Sequence, residues 1–202
     1  MARVVGVVLA AGSGSRMGAP KAQLLLDGVR LVDRAVAALR QGGCDDVLAV
    51  VRTGVAVPDA HPVVNAAPQR GMRSSLALAI EAADPDADAL AVVLVDTPGV
   101  GAAQVRPVVT GWIPGRIAVA SYAGRRGHPT VMSPGLWRQA LQLAGSDEGA
   151  RALLTAHSDL VDEIPVDGDP TDLDTPADLT NWTTRAMELS THNWGDPPTV
   201  VV

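Results

Sequence analysis

Val4 to Lys21 reads VVGVVLAAGSGSRMGAPK, and the rest of the chain takes its meaning from it. The segment opens with a continuous apolar run, Val4 to Leu9, that ends in small residues. A run without polar alternation suits a strand buried on both faces of a parallel sheet. Ala10-Ala11-Gly12-Ser13-Gly14-Ser15 follows, a loop almost without side chains. With nothing apolar to pack, its backbone N–H groups stay free, and such a row of N–H groups cradles an anion. Arg16 and Lys21 add two cations at the mouth of the strand. These features predict a triphosphate-binding loop using Leu9, Ala10, Ala11, Gly12, Gly14 and Lys21.

Two commoner glycine loops do not fit. The dinucleotide fingerprint G-x-G-x-x-G needs a third glycine where Met17 stands. The P-loop needs Gly-Lys-Ser/Thr, whereas Lys21 lies between Pro20 and Ala22. The spacing therefore disfavours a dinucleotide-dependent oxidoreductase. A flexible turn would explain two glycines, but not the two cations beside them.

The remaining sequence predicts an α/β fold, a single open and mostly parallel sheet with an antiparallel strand or hairpin in its second half. Its 202 residues, 47% of them hydrophobic, suffice for one sizeable core. A domain is expected over residues 1–190, followed by a tail over 191–202. Strands are predicted at Asp46–Val51, His61–Asn65 and Ala89–Val95, with helices at Leu31–Arg40 and Ser74–Ala83. Later strands are expected at Arg116–Tyr122, Pro129–Met132 and Leu160–Val166, the first two joined by a loop over Ala123–Gly127. Helices are expected at Pro134–Leu143 and Asp147–His157, and another opens at Pro176. Pro107 should kink or shorten the helix that holds it.

Composition removes several function classes. A net charge of −6 argues against a nucleic-acid partner, although a local basic patch can still hold one triphosphate. No apolar run reaches the length of a membrane span, and no secretion leader is recognisable. Cys44 is the only cysteine, which excludes an internal disulfide and points to a reducing cytoplasm. His61, His157 and His192 have no metal-ligand spacing.

Asp96 follows the apolar strand directly. Ligand crevices of open α/β sheets form at that strand edge, and a carboxylate there can hold Mg²⁺. A turn-capping aspartate would sit there equally well. Gly71-Met72-Arg73-Ser74-Ser75 precedes a helix, and its N–H groups and hydroxyls can read a base or hold a phosphate. Ser74 as a helix cap is the plainer alternative.

LAAGSGSRMGAPK resembles the signature L-A-x-G-x-S/G-x-R-M-G-x-x-K of the MobA-like nucleotidyltransferases, and Ala11 makes it similar to the cytidylyltransferase branch. VLVDTPGV resembles the family's L-G-D-x-P segment, with Val95 in place of the glycine. Val95 is expected to crowd the site there. Asp172-Leu173-Asp174-Thr175-Pro176-Ala177-Asp178-Leu179 resembles D-I-D-T-P-E-D-L, and on this resemblance Asp174 is the second metal carboxylate. Asp172 and Asp174 could instead cap the following helix, and Asp169 and Asp178 read as solvated. Gly71, Ser74 and Ser75 match G-x-x-S-S-L on the base and ribose. Gly127-His128-Pro129 matches G-H-P on the acceptor side, with Arg125, Arg126 and His128 as acceptor-binding candidates. Gly145 to Arg151 resembles G-D-x-G-A-R.

The resemblance implies a Rossmann-like nucleotide-diphospho-sugar transferase fold. It also implies Mg²⁺, CTP as donor, molybdopterin as phosphorylated acceptor, and a molybdoenzyme or its chaperone as protein partner. Arg16, Lys21 and Asp96 would carry the chemistry. A phosphate monoester is largely ionised at neutral pH, so no strong base is needed, consistent with the missing Ser/His/Asp or Cys/His constellation. A guanylyltransferase, a sugar- or alcohol-phosphate nucleotidyltransferase and a non-catalytic nucleotide-binding module are the alternatives.

Overall fold

The computed structural model describes residues 2–143, 145 and 149–182. The chain passes through β1 (Val4–Leu9), a 3-10 turn at Lys21–Gln23, β2 (Leu25–Leu26), β3 (Val29–Arg30) and α1 (Leu31–Gln41). It continues through β4 (Asp46–Val51), β5 (His61–Val64), α2 (Met72–Ala82), β6 (Ala89–Leu94) and α3 (Ala102–Gly111). The second half holds β7 (Ile117–Tyr122), β8 (Arg125–Met132), α4 (Pro134–Leu143), α5 (Arg151–Ala156) and β9 (Val161–Pro165). Residues 176–182 are also helical.

Seven strands form one sheet in the order β5-β4-β1-β6-β8-β7-β9. Only β8 runs against its neighbours; the β1–β4, β1–β6, β4–β5 and β7–β9 pairs are parallel. Alternation along β1 fills two layers. Val4 and Val8 pack with Val32, Val36 and Leu39 of α1 and with Val105 and Val108 of α3. Val5, Val7 and Leu9 pack with Leu76 and Ile80 of α2, Trp137 of α4 and Leu153 of α5. A strand covered on both faces has no reason to alternate with polar residues. Gly6 lets α1 come close, since a Cβ there would lie 3.0 Å from Leu39. In a core without phenylalanine, Trp137 is the largest fully buried side chain among the described residues, and its indole N–H donates to the Leu90 carbonyl at 3.0 Å.

The sheet reverses its winding between β1 and β6. The loops leaving these two strands therefore face each other across a crevice at the carboxyl edge, where α/β sheets bind ligands. The second half shapes the other wall. Pairing of β6 with β8 extends only from Leu90↔Met132 to Val92↔Thr130. Between Val119↔Thr130 and Ala120↔Gly127 the register of β7 and β8 shifts. His128 and Pro129 are extra residues on β8 there, and a bulge of this kind re-aims side chains.

Several expectations change. Arg125 and Arg126 lie on β8, paired with Tyr122 and Ser121, and not in a five-residue loop. The connection is only Ala123-Gly124, with φ of 49° and 81°. Positive φ at both positions suits a tight hairpin whose twist matches its strands. Helix α2 starts at Met72, so Ser74 lies inside it and not at its cap. Pro107 is tolerated within α3. Ala103, four residues earlier, is exposed, so the carbonyl that proline leaves unpaired meets water. Helix α5 begins at Arg151; Asp147 and Glu148 of the longer expected helix, and the tail over 191–202, lie outside the described residues.

Candidate active site

The loop after β1 is fixed at its root and open at its tip. Ala10 N–H donates to the Val50 carbonyl at 2.8 Å, and Met17 N–H donates back to the Gly14 carbonyl at 2.8 Å. Gly14 has φ of +60°, and a Cβ there would stand 2.0 Å from the Ala19 carbonyl oxygen. Only glycine permits that turn. The N–H groups of residues 11–16 donate to no described residue, so the loop presents a row of free donors. The turn then delivers Lys21 into the crevice, with buried Ala22 anchoring the next position.

Lys21 Nζ lies 2.6 Å from Asp96 Oδ2 and 2.6 Å from Asp174 Oδ1. Desolvation pulls the ammonium pKa down, but hydrogen bonds to Asp174 and Asp96 outweigh it and the net shift is upward. The same hydrogen bond from Lys21 holds the Asp174 carboxyl below the usual carboxylate range. Arg16 reaches the outer oxygen of Asp174 at 3.4 Å and is otherwise exposed. Asp96 Oδ1 is buried and meets no hydrogen-bond partner among the described residues. A buried carboxylate oxygen without a donor, beside a second carboxylate, fits a hard divalent cation. Among the described residues no group of three His, Cys, Asp or Glu side chains is arranged to hold a metal. Asp96 and Asp174 would therefore share the ion with oxygen ligands of other kinds, such as waters or a phosphate.

Local structure explains how Asp174 reaches Asp96 across 78 positions of sequence. Leu173 is buried, and its N–H donates to the Asp96 carbonyl at 2.8 Å. Gly99 admits the approaching chain, since a Cβ there would lie 2.1 Å from the Asp169 carbonyl oxygen. Asp178 is not merely solvated. Its Oδ2 accepts from Asp174 N–H, Thr175 N–H and the Thr175 hydroxyl. Asp178 N–H in turn faces Thr175 Oγ1 at 3.3 Å. This capping box leaves Asp172 and Asp174 free for the crevice. Asp169 likewise accepts from Thr171 N–H. Although much of Asp172 faces solvent, desolvation of its carboxyl and the charges of Asp96 and Asp174 raise its pKa.

Val95 sits directly before Asp96. Its side chain is buried in the layer formed with α1 and α3, on the sheet face away from α2.

Gly71, Ser74 and Ser75 sit at the start of α2, beside a cavity of about 640 Å³ that Ser74 helps to line. Gly71 turns the chain with φ of +85°. Buried Asn65 donates through Nδ2 to Ser74 Oγ at 2.9 Å and Ser75 Oγ at 3.0 Å. Its Oδ1 accepts from Ala67 N–H at 2.9 Å. The sequence reading missed Asn65 as a site residue. The available signal was a polar side chain closing a strand at the ligand edge.

Arg125, Arg126 and His128 line a second cavity of about 570 Å³ together with Asp172, Arg151 and Met72. Arg126 Nε pairs with Glu163 Oε1 at 2.8 Å. Arg125 is exposed. Nδ1 of His128 lies 3.2 Å from the Val92 carbonyl. Desolvation holds the ring below the usual imidazole pKa, so it is neutral at pH 7 and carries its proton on Nδ1. It adds hydrogen bonding to the cavity but no charge. Arg151 and Asp172 were not singled out from sequence for this cavity. Cys44 takes no part: it is buried, and burial pushes its thiol up to about 12.

The family described as MobA-like NTP transferase domain matches residues 6–161. The chain belongs to this family. Nucleotidyl transfer is the kind of activity that the family carries. The chain is 36% identical over 189 residues to the nicotine blue oxidoreductase of Paenarthrobacter nicotinovorans, covering 85% of this chain and 92% of that protein. A solved structure of an Rv0371c homologue from Mycobacterium sp. strain JC1 superimposes with a TM-score of 0.79 at 32% identity, over 93% and 98% of the two chains. Rv0371c of Mycobacterium tuberculosis H37Rv, solved as a complex with manganese, superimposes with a TM-score of 0.74 at 28% identity, over 91% and 99%. Among the described residues no helix is long and apolar enough to cross a membrane.

Proposed function

We propose that the chain is a Mg²⁺-dependent nucleotidyltransferase of the cytoplasm that moves CMP from CTP to molybdopterin and releases pyrophosphate. Its catalytic domain is taken to span residues 1–190. The observation that carries this reading is the convergence of Lys21, Asp96 and Asp174 beside the open N–H row of residues 11–16.

The N–H groups of Ala11 to Gly14 bind the β- and γ-phosphates. Arg16 and Lys21 neutralise charge on the departing pyrophosphate and on the α-phosphate. Gly71, Ser74 and Ser75, the serines oriented by Asn65, hold the base and ribose. Arg125, Arg126 and His128 position the acceptor phosphate, whose oxygen attacks the α-phosphorus. One P–O bond forms as the bond to the β-phosphate oxygen breaks. The acceptor is already ionised, so the protein supplies placement and electrostatic stabilisation, with no strong base. A divalent cation held by Asp96 and Asp174 would supply Lewis-acid stabilisation of the phosphoryl oxygens. Manganese in the Rv0371c complex supports divalent metal use on this scaffold.

The test is pyrophosphate release with CTP, GTP, ATP and UTP, with and without molybdopterin and Mg²⁺. Release that requires CTP, acceptor and metal together supports the reading; its absence with every nucleotide defeats it. The relative named as an oxidoreductase favours one second reading, in which the same crevice holds a reducing dinucleotide and the His128 cavity an oxidised acceptor. Acceptor-dependent oxidation of a reduced nicotinamide dinucleotide, without pyrophosphate release, would select it.

A further inference from the structure

We propose that Lys21 is a built-in counter-ion that keeps the Asp96–Asp174 pair closed to a divalent cation until a polyphosphate draws it away. The identity of the polyphosphate rests on the nucleotidyltransferase reading; the competition between Lys21 and metal rests on geometry alone. Nζ stands 2.6 Å from an oxygen of each carboxylate. A divalent ion bridging the same two oxygens would need nearly that position. An ammonium and a metal cation cannot share it.

The surroundings make the exchange directional. Among the described residues Lys21 is the one cation hydrogen-bonded to both carboxylates, while Arg16 reaches only the outer oxygen of Asp174. Its backbone is held by the turn at Lys21–Gln23 and buried Ala22. Its four-carbon stem is flexible, so the head can swing while the root stays fixed. The nearest alternative for the ammonium is whatever anion occupies the free N–H row of the same loop. A polyphosphate there offers Lys21 new partners and leaves two adjacent carboxylates uncompensated. Those carboxylates, with Asp96 Oδ1 already lacking a donor among the described residues, then favour metal. Coupling of this kind is reciprocal: metal at the carboxylates releases Lys21 to the polyphosphate.

The test is Mn²⁺ binding to the metal-stripped, nucleotide-free protein, followed by electron paramagnetic resonance. Lys21→Met and Lys21→Gln should each bind Mn²⁺ about tenfold or more tightly than wild type, because a competing charge has left the site itself. Arg16→Met, which removes an equal charge from the exposed rim, should gain less than about threefold because solvent and salt screen it. Adding Asp96→Asn to Lys21→Met should abolish the gain. Equal or weaker Mn²⁺ binding by both Lys21 variants, or an equal gain in Arg16→Met, overturns the proposal. A wild-type measurement covers the case in which both variants unfold. At a Mn²⁺ concentration well below the wild-type Kd, the ¹⁵N signal of the Lys21 ammonium should survive Mn²⁺ alone and broaden when a non-hydrolysable nucleoside triphosphate is added. Broadening by Mn²⁺ alone defeats the idea. Since none of these readouts uses turnover, failure of pyrophosphate release leaves the result standing, and the reverse holds too.

Discussion

The loop after β1 and the β7–β8 hairpin each bring two cations to the crevice, and they hold them in opposite ways. In the loop the backbone is unusual and the cations are engaged by carboxylates: Lys21 bridges two of them at the centre, and exposed Arg16 touches one from outside. In the hairpin the cations sit on paired strand residues at the rim, with Arg126 tied to Glu163 and Arg125 exposed. Charge of one sign therefore serves two ends. A desolvated, doubly hydrogen-bonded cation acts on charge that develops during reaction. A rim cation attracts and orients a ligand, and water and salt screen much of its energy.

The largest effect expected from this contrast is on turnover. Asp96→Asn should cut pyrophosphate release on the order of 10³-fold while circular dichroism shows a folded protein, because Lys21 keeps Asp174 as a partner. Near-normal release would erase the distinction between centre and rim. Next in size is the loop itself. Gly14→Ala forces a Cβ against the Ala19 carbonyl at positive φ and should weaken nucleotide binding about tenfold or more. Gly12→Ala, with nothing within 4 Å of its Cβ, should change affinity by less than about threefold; isothermal titration of both variants reads the difference. At the rim, Arg125→Ala should raise KM for the acceptor roughly three- to tenfold and leave kcat near wild type. A fall in kcat would move Arg125 to the centre.

Smaller effects separate the two regions by stability. Thr175→Val removes the hydroxyl of the capping box and should cost about 1 kcal/mol in urea unfolding. The pH profile sharpens the same contrast. Lys21 lowers the folded pKa of Asp174, so that contribution is complete above about pH 4 and is lost only as pH falls through the lowered folded value. Partly buried His128 also has a lowered pKa, with an earlier consequence. Below about pH 6.5 the unfolded chain takes up a proton that the folded ring refuses, so stability falls with pH. His128→Gln should flatten the curve between about pH 5 and 7, while Asp174→Asn should leave that stretch unchanged in shape.

The nucleotide half was legible because its information is contiguous. Val4–Leu9 announces a doubly covered strand, Gly14 a required turn, and Lys21 and Asp96 lie beside strand ends that the fold must bring to one edge. Asp174 stands out only through resemblance to a family segment, since nothing local says which of three aspartates caps the helix. The structure assigns that task to Asp178 and so frees Asp174. Asn65 escaped notice because its role depends on hydroxyls nine and ten residues away, across a turn. The Arg125-Arg126 loop was misread because a two-residue turn with positive φ at Ala123 was not expected from an alanine. The layer in which Val95 is buried depends on which face of the sheet it meets.

Sequence by itself determined the alternation of strands and helices, the open glycine-rich loop after the first strand and the kind of charges at the carboxyl edge of the sheet. These follow from hydrophobic period, backbone sterics and residue chemistry, which act over a few neighbouring residues. Only the tertiary structure decided that Lys21 stands between Asp96 and Asp174, that His128 is neutral, and that Asp172 faces the second cavity. Each of these depends on desolvation and charge contributed by segments far apart in the chain, and their distances exist only once the sheet is assembled.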